Sequence, residues 1–243
     1  ITAAIIQTLG AGCAAAQMKR PPMRAHTATE AQPLTVVPAT RSAGNSFADI
    51  STTATTRTIT AYGIPAHLVG QFPNAGNPNS ISTQSVSLSV PLIPREASRT
   101  TSAQGWAFGV SLQGVVFDPF AAEYWQGDRS SGWNYDALGG AVALGLDANH
   151  AHVQPTGAYH YHGIPFGLLE LLRYDENAHS PLVGYAADGY PISSMTGIVE
   201  GRVTDMTSSY QLKSGQRPGG SQPDGAYAGA IVQDFEYVAG LGN

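Results

Sequence analysis

Four of the seven histidines fall within thirteen residues, as two His-x-His pairs, His150/His152 and His160/His162, on either side of a Pro155-Thr156-Gly157 turn. Residues two apart on a β-strand face the same side. His160 and His162 therefore share one face, and Tyr159 and Tyr161 share the other. The turn folds residues 150–152 back beside residues 159–162, which brings three or four imidazoles together. Neutral imidazole is a ligand for zinc and also suits copper(II) and nickel(II). His179 and Asp188 follow on neighbouring segments, placed to complete or support the cluster. A strand histidine can equally satisfy a buried carbonyl, and Asp188-Gly189-Tyr190-Pro191 is turn chemistry first. The doubling of the pattern about a turn is what favours a metal-capable site.

Other chemistries find less support. No Gly-x-Ser-x-Gly, P-loop or Rossmann fingerprint occurs. Cys13 lies in an apolar run without a histidine neighbour, which disfavours a catalytic thiol, and a single cysteine excludes an internal disulfide framework. Charged residues make up 12% of the chain and the net charge is −5. That balance leaves no basic surplus to neutralise phosphates and argues against nucleic-acid binding. Asp118, Glu123 and Asp128 beside aromatics could bind sugar or act as an acid, with Trp106, Trp125 and Trp133 as a carbohydrate-binding surface, but a surface loop packed on Trp125 and Trp133 is the favoured reading.

The elements that must position the cluster read as mainly β. The 243 residues include 28 glycines and 16 prolines, which implies many turns and few, short helices. Thr58 to Tyr62 alternates, as does Ser85 to Val90 before Pro91, and each predicts a half-buried strand. Ala107 to Phe117 predicts another, with Gly114 as a bulge or turn. Residues 71–79 (QFPNAGNPN) are loop composition. Phe120 to Trp125 predicts a short helix or turn, Leu168 to Arg173 a helix, and Ile231 to Val238 a strand.

The N-terminal region differs from the rest. Ile1 to Ala16 is uncharged and mostly apolar or small, and is too short for a confident membrane span. Its Ala14-Ala15-Ala16 end suits signal-peptide cleavage, but no basic n-region precedes it. Ile1, Ile5 and Leu9 form a helical stripe, while Ile1, Ala3 and Ile5 form one strand face. Residues 17–34 hold Lys19, Arg20, Pro21, Pro22 and Arg24 and read as a linker, with an extended reach of about 60 Å. The expected organisation is an extended or helical arm and linker over residues 1–34, then one β-sandwich-like domain over residues 35–243.

The stretch from Gly145-Leu146-Asp147 through His152-Val153-Gln154-Pro155-Thr156-Gly157-Ala158-Tyr159-His160-Tyr161-His162-Gly163 resembles the signature of the YHYH domain family. The similarity extends to Tyr62-Gly63-Ile64-Pro65, Gln71 to Asn79, Phe117-Asp118-Pro119, Ala122 to Trp125, His179 to Leu182, Ala187 to Ile192 and Tyr237 to Gly242. It covers about residues 55–243. Members of that family are mostly secreted or surface proteins of environmental bacteria with no settled reaction. The resemblance therefore implies an extracellular or cell-surface β-rich domain. It also implies a shared His/Tyr site at His152, His160 and His162, with His179 and Asp188 as neighbours. There are two departures: family members often carry asparagine at the position of His150, and their chains usually continue past the Gly-Leu-Gly position into a further strand.

Three functional expectations follow. The first is a non-enzymatic assembly subunit, of filament or surface-layer type. Its arm (Ile1, Ile5, Ile6, Leu9) adds to a sheet of another copy, completing an edge that a shortened C-terminal region leaves open. The second is a secreted copper- or zinc-binding protein or metalloenzyme using His152, His160 and His162, with His150, His179 and Asp188 as further candidates. The third is a carbohydrate-binding module with a glycan partner. No membrane span is expected in the mature protein.

Overall fold

A computed structural model describes residues 25–103 and 107–243. The arm residues Ile1, Ile5, Ile6 and Leu9, the first part of the linker, and Trp106 lie outside the described residues. In chain order the strands are β1 (Arg41–Ser42), β2 (Ala48–Thr52), β3 (Thr56–Ala61), β4 (Leu68–Val69), β5 (Val86–Pro91), β6 (Gly109–Ser111), β7 (Val116–Phe117), β8 (Phe120–Tyr124) and β9 (Asn134–Asp136). They continue with β10 (Ala151–Val153), β11 (Tyr159–Tyr161), β12 (Gly184–Ala186), β13 (Pro191–Ile192), β14 (Thr196–Val199), β15 (Arg202–Asp205), β16 (Tyr210–Leu212) and β17 (Phe235–Tyr237). One α-helix, α1 (Phe166–Leu171), stands among the described residues. The protein is mainly β, as the residue pattern predicts.

The chain divides into two compact units. The first takes Val36–Pro119 and Leu144–Met206. Its centre is a six-stranded mixed sheet in the order β10-β11-β7-β6-β12-β13, where only the β11–β7 pair is parallel. A three-stranded antiparallel sheet, β2-β3-β5, packs on one of its faces. The alternation of β5 explains this contact: Val86, Leu88 and Val90 are buried while Ser87, Ser89 and Pro91 are exposed. The inward set joins Ile59, Ala61 and Val110 in one apolar cluster, with Val116 and Tyr185 against it. On the opposite face, Phe117, Ala151, Val153, Tyr159 and Tyr161 pack with Leu168 and Leu169 of α1. Sheet lies on sheet, and the sandwich-like expectation holds within this unit.

The second unit takes the described part of Gly10–Thr35 with Phe120–Ala143 and Thr207–Asn243. It contains the β8–β9 and β16–β17 hairpin-like pairs. A buried ion pair anchors it: Arg217 donates through Nε and Nη2 to the two oxygens of Asp234, each at 2.7 Å. Two further Arg217 donors reach the Thr29 and Asp224 carbonyls, so four of the five N–H groups of the fork are engaged.

Two local expectations are corrected and a third is refined. Phe120 to Tyr124 is a strand rather than a helix or turn, because Asn134 on β9 donates from its side chain to the Ala121 and Glu123 carbonyls and holds that segment extended. The expected turn at Gly114 is present, at φ 76°, and divides the strand structure within Ala107 to Phe117 into β6 and β7. Ile231 to Val238 begins as a 3₁₀ turn at Val232–Asp234 and becomes β17 only from Phe235. There Asp234 folds inward to accept the Gly229 and Ile231 amides.

Candidate metal centre

The Pro155-Thr156-Gly157 turn closes β10 onto β11 with Ala151 opposite Tyr161, His152 opposite His160 and Val153 opposite Tyr159. Gly157 has φ 85°, a conformation that side-chain-bearing residues rarely adopt. Cross-strand partners share a face, so His152 and His160 project from the side that carries Val116, while Ala151, Val153, Tyr159 and Tyr161 enter the core. His162 continues the ladder one step beyond β11, its amide donating to the His150 carbonyl.

The three imidazoles form a nearly equilateral triangle. Ring centroids of His152, His160 and His162 lie 4.7, 4.8 and 4.7 Å apart, with interplanar angles of 63° to 76°. One nitrogen from each falls within 4.8 Å of the others. His152 Nε2 and His162 Nε2 are 3.1 Å apart. Two nitrogens bound tetrahedrally to one zinc ion at 2.0–2.1 Å would stand about 3.4 Å apart. The triad thus needs only small movements to close on a cation.

Tautomers follow from the partners. His152 Nδ1 lies 2.9 Å from the Leu144 carbonyl, which can only accept, so Nδ1 carries the proton and Nε2 presents its lone pair inward. His160 Nδ1 faces the Ala158 carbonyl at 3.3 Å and is oriented in the same sense. Between His152 and His162, the shared proton in the metal-free chain then sits on His162 Nε2. His162 Nδ1 is buried without a hydrogen bond of good geometry, with the Pro119 and Asp118 backbone close enough to favour a proton there. Holding a cation at three Nε2 atoms asks His162 to move its proton to that side. The carbonyls behind His152 and His160 fix those imidazoles in the way usual for metal-ligating histidines.

Burial keeps His160 and His162 neutral. Desolvation, reinforced by the charge of His152, pushes His160 down to about 3. Desolvation together with His160 and His152 holds His162 well below the ordinary histidine range. Both are lone-pair donors at neutral pH, the form a metal requires.

The tyrosines of the same strand do different work. Tyr159 donates to Asp147 Oδ2 at 2.7 Å, and Asp147, wholly buried, also accepts the Gly70 and Asn149 amides at 2.8 and 2.9 Å. Asn149 donates to the Leu68 carbonyl and to Tyr159, and accepts from the Gly167 amide. Tyr161 donates to His67 Nε2 at 2.6 Å, because His67 Nδ1 is committed to the Leu68 carbonyl. Burial raises both phenols well above their usual range and lowers His67. His67, Asp147 and Asn149 thus belong to the site's support; Asp147 and Asn149 lie in the histidine-rich stretch, but no pattern in the chain points to His67.

The other candidates stand apart from the triad. His150, at φ 52°, packs edge-on against Phe166 at 5.3 Å. His179 directs Nδ1 to the Ser180 carbonyl at 2.7 Å. Asp188 accepts the Tyr190 amide at 3.3 Å, a turn contact. Among the described residues, His152, His160 and His162 are the group gathered closely enough to hold one ion. A pocket of about 240 Å³ borders His162, walled by Phe108, Phe117, Tyr161, Ile164 and Ile192. Trp125, 8% exposed, offers no open ring face to a sugar.

No curated protein and no solved structure matches this chain. One family model does, that of the YHYH protein, over residues 87–243, a span that includes the whole triad and both of its tyrosines. The chain belongs to the YHYH protein family.

Proposed function

We propose that this is an extracellular metal-binding protein that holds a divalent transition-metal ion, copper or zinc, through Nε2 of His152, His160 and His162. The observation that carries the reading is the close triangle of three imidazoles, with His160 and His162 held neutral by burial and backbone carbonyls behind His152 and His160. Three imidazoles leave a fourth position for water or another ligand. When loaded, such an ion supplies Lewis-acid chemistry at that position. The test is a titration of chelator-treated protein with Zn²⁺ and with Cu²⁺, followed calorimetrically. One ion per chain, lost in His160→Ala, is the expected result; binding that is unchanged in His160→Ala would overturn the assignment.

A second reading, self-association through the N-terminal arm, draws on the uncharged run Ile1 to Ala16. It is also supported by β2, an edge strand exposed along its whole length, the kind of edge to which an extended segment pairs. Deleting residues 1–20 should abolish assemblies in analytical ultracentrifugation. The same sedimentation profile with and without the arm would sink this reading.

A further inference from the structure

The bonds Gln154 N–H to Ala158 C=O and His162 N–H to His150 C=O set the ladder phase of the β10–β11 hairpin. In an antiparallel pair, hydrogen-bonded and non-bonded positions alternate. His152 therefore directs its backbone toward β11, and the Val153 carbonyl points outward from the open edge of the six-stranded sheet. Loop 71–79 meets that edge. Asn77, buried, donates its side-chain amide to the Val153 carbonyl at 2.9 Å, and Asn79 donates to the same oxygen at 2.7 Å. Asn74 reaches the other flank, donating to the Gly145 carbonyl at 2.9 Å, one residue from the Leu144 carbonyl that fixes His152 Nδ1.

The loop is itself tightly built. Asn74 Oδ1 accepts the Gly76 and Asn77 amides at 3.0 and 2.9 Å. A Cβ on Gly76 would sit 2.5 Å from the Gly145 nitrogen, and a Cβ on Gly145 would sit 2.3 Å from Asn74 Oδ1. The loop and residues 144–145 are thus pressed together, and the carbonyl behind His152 is held from outside its own hairpin.

We infer that Asn74 and Asn77 are positioning residues of the metal centre: they fix His152 from both sides, Asn77 through the backbone of β10 and Asn74 through the segment bearing its Nδ1 acceptor. This rests on the metal-binding reading above. Asn77→Ala should weaken metal binding roughly tenfold or more, the range seen when groups behind metal-ligating histidines are removed. It should also shift the visible spectrum of Co²⁺ bound in place of the native ion. Asn79→Ala, half-buried and one of two donors to the same carbonyl, should give a smaller change in the same direction and covers the case in which Asn77→Ala does not fold. Asn134→Ala, in the second unit, removes a buried asparagine that likewise donates to two carbonyls. It should lower the melting temperature while leaving the affinity and the Co²⁺ spectrum as in the parent. Parent-like affinity and spectrum in the folded loop variants would overturn the positioning role and leave the metal site standing. Failure of the parent protein to bind Co²⁺, Zn²⁺ or Cu²⁺ would overturn both.

Discussion

At the scale of single residues, the Tyr-His-Tyr-His alternation divides its labour by face. The tyrosines lock β11 into the core through Asp147 and His67, and the histidines converge on the opposite side. Replacing Tyr159 with Phe leaves Asp147 with one donor fewer in a buried place. Urea unfolding should then show a loss of about 1–3 kcal/mol, the usual penalty for an unmet buried acceptor. Histidine titration gives a second expectation. His160 and His162 are depressed in the folded chain, so the unfolded chain binds more protons below about pH 6.5. Stability of the metal-free protein should be flat above that pH and should fall by about 1.4 kcal/mol per unit for each such histidine as the pH drops toward 3. Denaturant midpoints measured between pH 7.5 and 4.5 check this; a midpoint that rises on acidification would contradict it. The convergence of His152, His160 and His162 was legible because strand alternation and a Pro-Thr-Gly turn are local rules. His67 was not, since its partner Tyr161 lies 94 residues away and an isolated Ala-His-Leu carries no local signal.

At the scale of elements, the strands with clean alternation were readable. Val86–Pro91 and Thr56–Ala61 fall where the pattern of apolar and hydroxyl residues places them, and α1 lies close to its expected span. Phe120–Tyr124 defied local reading because its conformation is imposed by Asn134, a tertiary contact no propensity encodes. The β14–β15 hairpin also left little trace: Ile198 and Val203 are exposed, so no buried face disciplines their pattern. One element-level substitution is diagnostic. Gly145 has φ 65° and faces Asn74, so Gly145→Ala combines backbone strain with a collision. It should destabilise the fold by more than about 1 kcal/mol and weaken metal binding, because the Leu144 carbonyl moves with it. Thermal melts and metal titration of the same variant check the two effects together.

At the scale of the whole molecule, each unit has its own buried polar anchor: Asp147 in the first, the Arg217–Asp234 pair in the second. Both side chains of that pair are fully buried. Removing one partner strands a charge, and Asp234→Ala should lose about 3–5 kcal/mol in denaturant unfolding. The division into two units left no mark in composition, because each is assembled from separated stretches of chain. The most direct measurement for the central claim is X-ray absorption at the metal edge of protein loaded with one equivalent of Zn²⁺ or Cu²⁺. Three imidazole nitrogens at about 2.0–2.1 Å, reduced in number in His152→Ala and His162→Ala, are the predicted result. A loaded ion ringed by carboxylate oxygens, with a spectrum indifferent to those substitutions, would contradict the account.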